Sequence, residues 1–306
     1  MIRFIFTSWS LTCAVTGYCQ NDTFHKKDSA TLAVSVMQND VVRKNNIVTE
    51  SFPRPVAAAN EPVYKMNWAI DLPVTAVTAG WSLFAFPKIY DKDRSADAAI
   101  MNLSRSKING FDRWASYVYS EKAATTSDLF FYAAMPLPLV LFIDRDIRKD
   151  ALKVGFLYLE AMSVTGLFYT GSAYVFDRYR PSTYNPNVPL SERTAGNQKN
   201  SFIAGHPALV ATSTFFIARV YADYHPDSKF KYVLFGAAAV ATGSTAYLRH
   251  RGGKHFPSDL IVGTTIGTLS GLMVPRLHRN KAYRNSNVRI MPFTGESHGL
   301  NMVYKF

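Results

Sequence analysis

A chain of 306 residues with 48% hydrophobic and 18% charged side chains can bury a substantial core, which excludes disorder for most of its length. A net charge of +12 favours anionic partners: a lipid surface, a phosphorylated substrate or nucleic acid. Zinc-finger spacing, a homeodomain-like helix and interleaved basic and aromatic motifs are all missing from the sequence, which argues against nucleic acid.

The opening MIRFIFTSWSLTCAVTGYCQND joins Arg3 to a short apolar run and small residues before a polar stretch. Residues 1–19 therefore read as a signal peptide cut after Cys19, with an uncleaved anchor as the competing reading. Both cysteines, Cys13 and Cys19, lie in this leader, so disulfides, zinc thiolates and cysteine nucleophiles are excluded from a processed chain. Residues 20–62 are polar, with little periodicity, and read as a flexible N-terminal segment.

Residues 63–280 form the expected helical domain. From about Asn67 the chain becomes a series of apolar segments, Trp68 to Phe86, Leu129 to Ile143, Val154 to Phe176, Phe202 to Val220, Tyr232 to Tyr247 and Leu260 to Val274, whose Ala, Gly and Leu content favours helices. Between the first two, SRSKINGFDRWASYVYSE has an amphipathic spacing that gathers Ile108, Phe111, Trp114 and Tyr117 near one helical face. A mean hydropathy of −0.04 and segments mostly shorter than a bilayer span leave a soluble bundle open beside a membrane-associated one. The basic stretches DRDIRKDALK and PRLHRNKAYR would lie in the cytoplasm. Six full spans and a cleaved leader contradict that placement, and Trp68 to Phe86 is the segment expected to fall short of a full crossing. The tail, residues 281–306, alternates around a Gly-containing turn and reads as a small hairpin.

Three polar clusters interrupt the apolar series, each at a helix junction: Asp177 to Pro181, Ser201 to His206, and Arg249 to Asp259. Antiparallel helices would bring all three to one end of the bundle. Phosphoryl transfer needs cationic donors for the phosphoryl oxygens, an in-line nucleophile and an acid for the leaving oxygen. Arg180 and Arg249 suit the first task as forked donors, and Gly205, opening a helix, can add its N–H. His255 and Asp259, four apart, are close enough for the carboxylate to orient the imidazole, which leaves His206 as acid and base.

This order and spacing resembles the three signatures of the type-2 phosphatidic acid phosphatase and vanadium haloperoxidase superfamily. Those signatures are a Lys, six residues, then Arg-Pro; Pro-Ser-Gly-His; and Ser-Arg, five residues, His, three residues, Asp. Arg180-Pro181, Gly205-His206, and Arg249, His255 and Asp259 match their positions over a signature core of residues 125–277. The resemblance implies an all-α bundle of about six core helices and a metal-independent phosphatase without cofactor. In it His255 forms a phosphohistidine, Asp259 orients it, His206 protonates the leaving group, and Arg180 and Arg249 bind phosphate. A phosphorylated lipid is the implied substrate, in a bacterial cell envelope, with the site in the periplasm or facing it from the membrane.

The chain departs from the pattern at Ala173, where the family has Lys, at Ile203-Ala204 in place of Pro-Ser, and at Leu248 in place of Ser. Each lost charge-assisted donor weakens transition-state binding by about 1.5–3 kcal/mol. Arg178 or Lys254 are the residues at hand to compensate. Two alternatives stay open: a vanadate-dependent haloperoxidase, and a non-catalytic envelope protein that binds an anionic lipid headgroup.

Overall fold

The computed structural model describes residues 62–280 and two strands beyond them, all within a unit that runs from Pro55 to Phe306. The leader and nearly all of the N-terminal segment lie outside the described residues. Six principal helices run up and down in sequence: α1 (Trp68–Tyr90), α2 (Glu121–Ala134), α3 (Ala151–Val175), α4 (Gly205–Tyr224), α5 (Phe230–Arg251) and α6 (Pro257–His278). In the tail, β1 (Val288–Thr294) pairs antiparallel with β2 (His298–Tyr304), Val288 opposite Tyr304, the hairpin expected there.

The helices outrun their apolar runs because polar residues start and end them. Ser120 caps α2, its Oγ accepting from Ala123 N at 3.3 Å, so this helix begins eight residues before Leu129. Pro136 and Pro138 then tighten its continuation into the 3-10 turn Leu137–Ile143. Asp71 is tolerated in the first turn of α1 because its carboxylate accepts Asn67 N at 2.6 Å and faces His278 Nε2 at 3.2 Å.

Among the described residues, four helical stretches are long and apolar enough to cross a membrane: Trp68–Tyr90, Glu121–Ile143, Ala151–Val175 and Pro257–His278. Trp68–Tyr90, the segment expected to fall short of a full crossing, runs 23 residues and is long and apolar enough to cross. Its outward side chains are apolar: Leu83 is 77% exposed, and Trp68, Ile70, Leu72 and Val77 are exposed with it. Such a surface is costly in water and favourable in hydrocarbon, and the protein is membrane-associated through these helices.

The segment between α1 and α2 is not the amphipathic helix its spacing suggests. After the short helix Asp97–Met101, residues 104–120 make only the 3-10 turns Arg105–Lys107 and Arg113–Ala115, and of the four apolar residues only Ile108 is buried. Polar side chains satisfy its backbone instead: Asn109 Oδ1 accepts Asp112 N at 2.9 Å, and Arg113 donates to the Ile108 carbonyl at 3.0 Å.

Helix α4 is the hub, packed on α2, α3, α5 and α6. Toward α6 the contact is made by a glycine row, Gly263, Gly267 and Gly271, set four apart on one face. A Cβ at Gly267 would stand 1.9 Å from the Ala208 carbonyl oxygen, and one at Gly263 2.5 Å from that of Ala204. Toward α3, hydroxyls bridge the helices: Thr165 to Thr212 at 2.7 Å and Tyr158 to Ser213 at 2.8 Å. The largest apolar cluster, with Tyr64, Leu157, Phe216, Val220 and Val274, fills the end where α4 and α6 finish. The opposite end, where α4 and α6 begin and α3 and α5 finish, carries the polar clusters.

Candidate active site

The three clusters meet as antiparallel packing requires. A short parallel pairing holds the first to the second: Arg178 N donates to the Lys199 carbonyl and Ser201 N to the Arg178 carbonyl, at 2.9 and 3.0 Å. The third joins them through Ser182 N to the Gly253 carbonyl at 3.1 Å and Ala204 N to the Asp259 carbonyl at 3.2 Å. Gly253, at φ +66°, turns the chain where a Cβ would meet the Val118 carbonyl oxygen at 2.2 Å.

His255 is 2% exposed, and its Nδ1 lies 2.6 Å from the Ser201 carbonyl oxygen. A carbonyl can only accept, so Nδ1 carries the proton and Nε2 keeps its lone pair. Burial first, and then the nearby Arg249 and Arg180, hold this imidazole well below its ordinary pKa, so it is neutral at physiological pH. The expected hydrogen bond from His255 to the Asp259 carboxylate is not made. Asp259 instead accepts from Phe256 N at 2.9 Å and Ser201 Oγ at 2.6 Å, and pairs with Arg178. It therefore acts on His255 at one remove, by fixing the Ser201 segment whose carbonyl holds the ring.

Arg178, expected among the phosphate ligands, is committed elsewhere. Its guanidinium pairs with Asp259, reaches Asp112 Oδ2 at 2.6 Å and Ser258 Oγ at 3.0 Å, and lies 4.8 Å above the Phe256 ring. Two fully buried carboxylates leave it a tie between the first and third clusters and the loop before α2. Asp112 also accepts from Ser258 N at 3.0 Å, and these hydrogen bonds from Ser258, Asn109 and Arg178 outweigh burial to hold its carboxyl below the usual range.

Arg180 and Arg249 have the character of an anion site. Arg180 is 7% exposed, with no side-chain acceptor among the described residues, and its Nε is buried without a partner. Arg249 donates through Nη1 to Asp128 Oδ1 at 3.0 Å and Ser127 Oγ at 3.2 Å, while its buried Nε is unpartnered. Buried donors without acceptors are costly unless a ligand supplies them. Gly205 opens α4, where first-turn N–H groups have no intrahelical carbonyl to bond. His206 follows it, with Nε2 3.0 Å from Asp128 Oδ1 and its ring 4.5 Å from that of Phe131.

Asp128, Ser127, Ser201 and Asp112 went unrecognised in the sequence. Ser201 stood inside the second cluster, and Asp128 just ahead of an apolar run taken to start at Leu129.

Fold and site together define a membrane-associated helical bundle with paired arginines and two histidines at one end. Residues 154–283 match the family model described as PAP2 superfamily, the superfamily whose signatures these clusters resemble. A comparison with curated proteins finds no match. Among solved structures, the chain is similar to a transmembrane PAP2-type phosphatidylglycerolphosphate phosphatase from Bacillus subtilis, at 18% identity and a TM-score of 0.41, over 66% of this chain and 96% of that one.

Proposed function

We propose that this protein hydrolyses a phosphomonoester or pyrophosphate of a lipid, without a metal, through a phosphohistidine on His255. The observation that carries this reading is the pair Arg180 and Arg249, each with a buried donor lacking an acceptor, beside a neutral imidazole whose Nε2 lone pair is free. Burial, then Arg249, Arg180 and Lys254, hold the His206 pKa down at about 2, so His206 takes up its proton with the anionic substrate. His255 Nε2 attacks phosphorus, the bond from phosphorus to the leaving oxygen breaks, and His206 gives that oxygen the proton. His206 then takes a proton from water, which attacks the phosphohistidine. The P–N bond returns its pair to Nε2, and inorganic phosphate leaves. Arg180, Arg249 and the N–H of Gly205 hold the phosphoryl oxygens, where charge builds.

The lipid substrate class rests on the four apolar helices that would hold an acyl or prenyl chain beside the headgroup. The site lies at the end opposite the basic stretches around Arg145–Lys153 and Arg276–Arg279, which by the positive-inside rule faces it away from the cytoplasm. The test is phosphate release by the purified full chain from phosphatidate, phosphatidylglycerophosphate, prenyl pyrophosphate and an aryl phosphate, with acid-labile label sought on the enzyme. Release with label on His255 supports the reading, and bound lipid without release sinks it.

Asp128 offers a second check. Its Oδ1 touches both His206 Nε2 and Arg249, where a phosphoryl ester would bind, so a substrate must displace a like charge. Asp128→Asn is expected to lower the inhibition constant for inorganic phosphate about fivefold, equivalent to about 1 kcal/mol for a half-exposed charge. An unchanged or higher constant counts against the site.

A further inference from the structure

The PAP2 signatures carry a lysine where this chain has Ala173, and Ala173 is fully buried with its carbonyl accepting Lys92 Nζ at 2.6 Å. A dianionic phosphoryl group facing only Arg180 and Arg249 would have one cationic donor fewer than the pattern supplies. Three cations of the surrounding loops are candidates to replace it. Arg178 is held by Asp112 and Asp259. Lys92 is held by Asp177 at 2.7 Å and by the Ala173 carbonyl. Lys254 is different. It stands immediately before His255 in the loop after α5, its backbone N bonded to the Arg249 carbonyl at 3.1 Å, and no acceptor among the described residues holds its ammonium.

We propose that Lys254 is the third phosphate-binding cation of this site, supplying from the third cluster the charge lost from the first at Ala173. The proposal rests on the phosphatase reading and names a binding residue it lacked. Gly253 holds the loop that carries Lys254: its carbonyl accepts Ser182 N of the first cluster at 3.1 Å, and its φ of +66° turns the chain between Arg249 and His255. The charged and titratable groups that act on Lys254 are Arg180 of the first cluster, Arg249 on α5 and His206 on α4, with Glu192 of the turn Leu190–Arg193 and Asp128 of α2 as counter-charges. Burial first, then Arg180 and Arg249, push its pKa down to about 8. A half-buried ammonium crowded by two arginines and without an acceptor lacks the anion that would balance all three.

The sign of the pH effect follows. Lys254 is charged below about pH 8 and neutral above it, so its share of anion binding is present at low pH and lost as pH rises through about 8. The probe is tungstate, a tetrahedral dianion whose charge does not change in this range, titrated calorimetrically into the detergent-solubilised full chain. Lys254→Met is expected to weaken tungstate at pH 7 about tenfold and to abolish the decline in affinity through pH 8. Lys254→Arg should keep wild-type affinity at pH 7 within about threefold and hold it beyond pH 8, because guanidinium does not titrate there. All three proteins should unfold at the same temperature. Wild-type affinity in Lys254→Met, or an unaltered pH decline in either variant, overturns the role of Lys254 while leaving the anion site standing. A wild-type protein that binds no tungstate overturns the anion site and this proposal together.

Discussion

Replacing Gly267 by alanine is expected to lower the thermal unfolding temperature by about 10 °C and to abolish activity with it. The added methyl would stand 1.9 Å from the Ala208 carbonyl oxygen and 2.6 Å from its carbon, both backbone atoms of the hub helix α4. No rotamer change relieves that contact, so α4 and α6 must move apart, and the Thr212 hydroxyl loses its 3.2 Å bond to the Gly267 carbonyl. In a bilayer close backbone approach is what drives helix pairing, since lipid solvates exposed side chains as well as a neighbouring helix does. The same separation would pull His206, in the first turn of α4, away from Asp259, in the first turn of α6. Gly236→Ala and Gly243→Ala on α5 serve as controls: nothing lies within 4 Å of either added methyl, and both should be neutral or slightly stabilising. Equal unfolding temperatures for Gly267→Ala and these controls would show that the glycine row does not set the packing.

The sequence makes the helices legible where side-chain character is uniform and obscures them where it changes. The six apolar runs became the six principal helices, and their alternation brought the three polar clusters to one end. Helix α2 shows the limit: its first two turns, EKAATTSD, are too polar to read as part of an apolar segment, yet Ser120 caps them into the helix. That misplacement hid Asp128, which faces His206 and Arg249 from the second of those turns. The row Gly263, Gly267 and Gly271 was present at helical spacing, but its meaning lies in the backbone of a partner helix that sequence alone does not supply.

Spacing also misled at one point of the site itself. Four residues separate His255 and Asp259, a distance at which two helical side chains meet, but His255 precedes the helix and Asp259 sits three residues past its N-cap Phe256. From there a carboxylate turns back onto the cap's N–H, half of a capping box, and its other bonds go to Ser201 and Arg178. The orienting task passes to the Ser201 carbonyl. A backbone acceptor cannot titrate, so His255 keeps one tautomer whatever the protonation state of Asp259.

Separate roles for the two histidines lead to unequal losses. On the proposed mechanism His255→Ala removes the nucleophile, and release of phosphate from every substrate is expected to fall by about four orders of magnitude or more. His206→Ala removes a proton carrier, worth about a hundredfold to ten-thousandfold, and its effect depends on the leaving group. An alkoxide must be protonated to leave, so with a lipid phosphate the first step slows and little phosphoenzyme forms. A nitrophenolate leaves without a proton, so with the aryl ester the first step survives while the second, which needs His206 to activate water, does not. His206→Ala is therefore expected to give one rapid equivalent of nitrophenol, little free phosphate, and an acid-labile label that stays on His255. Phosphate released in step with nitrophenol by His206→Ala would remove that residue from the hydrolytic step, and label persisting in His255→Ala would move the nucleophile elsewhere. If both variants matched wild type, the paired arginines would be left as a headgroup-binding site with no chemistry attached.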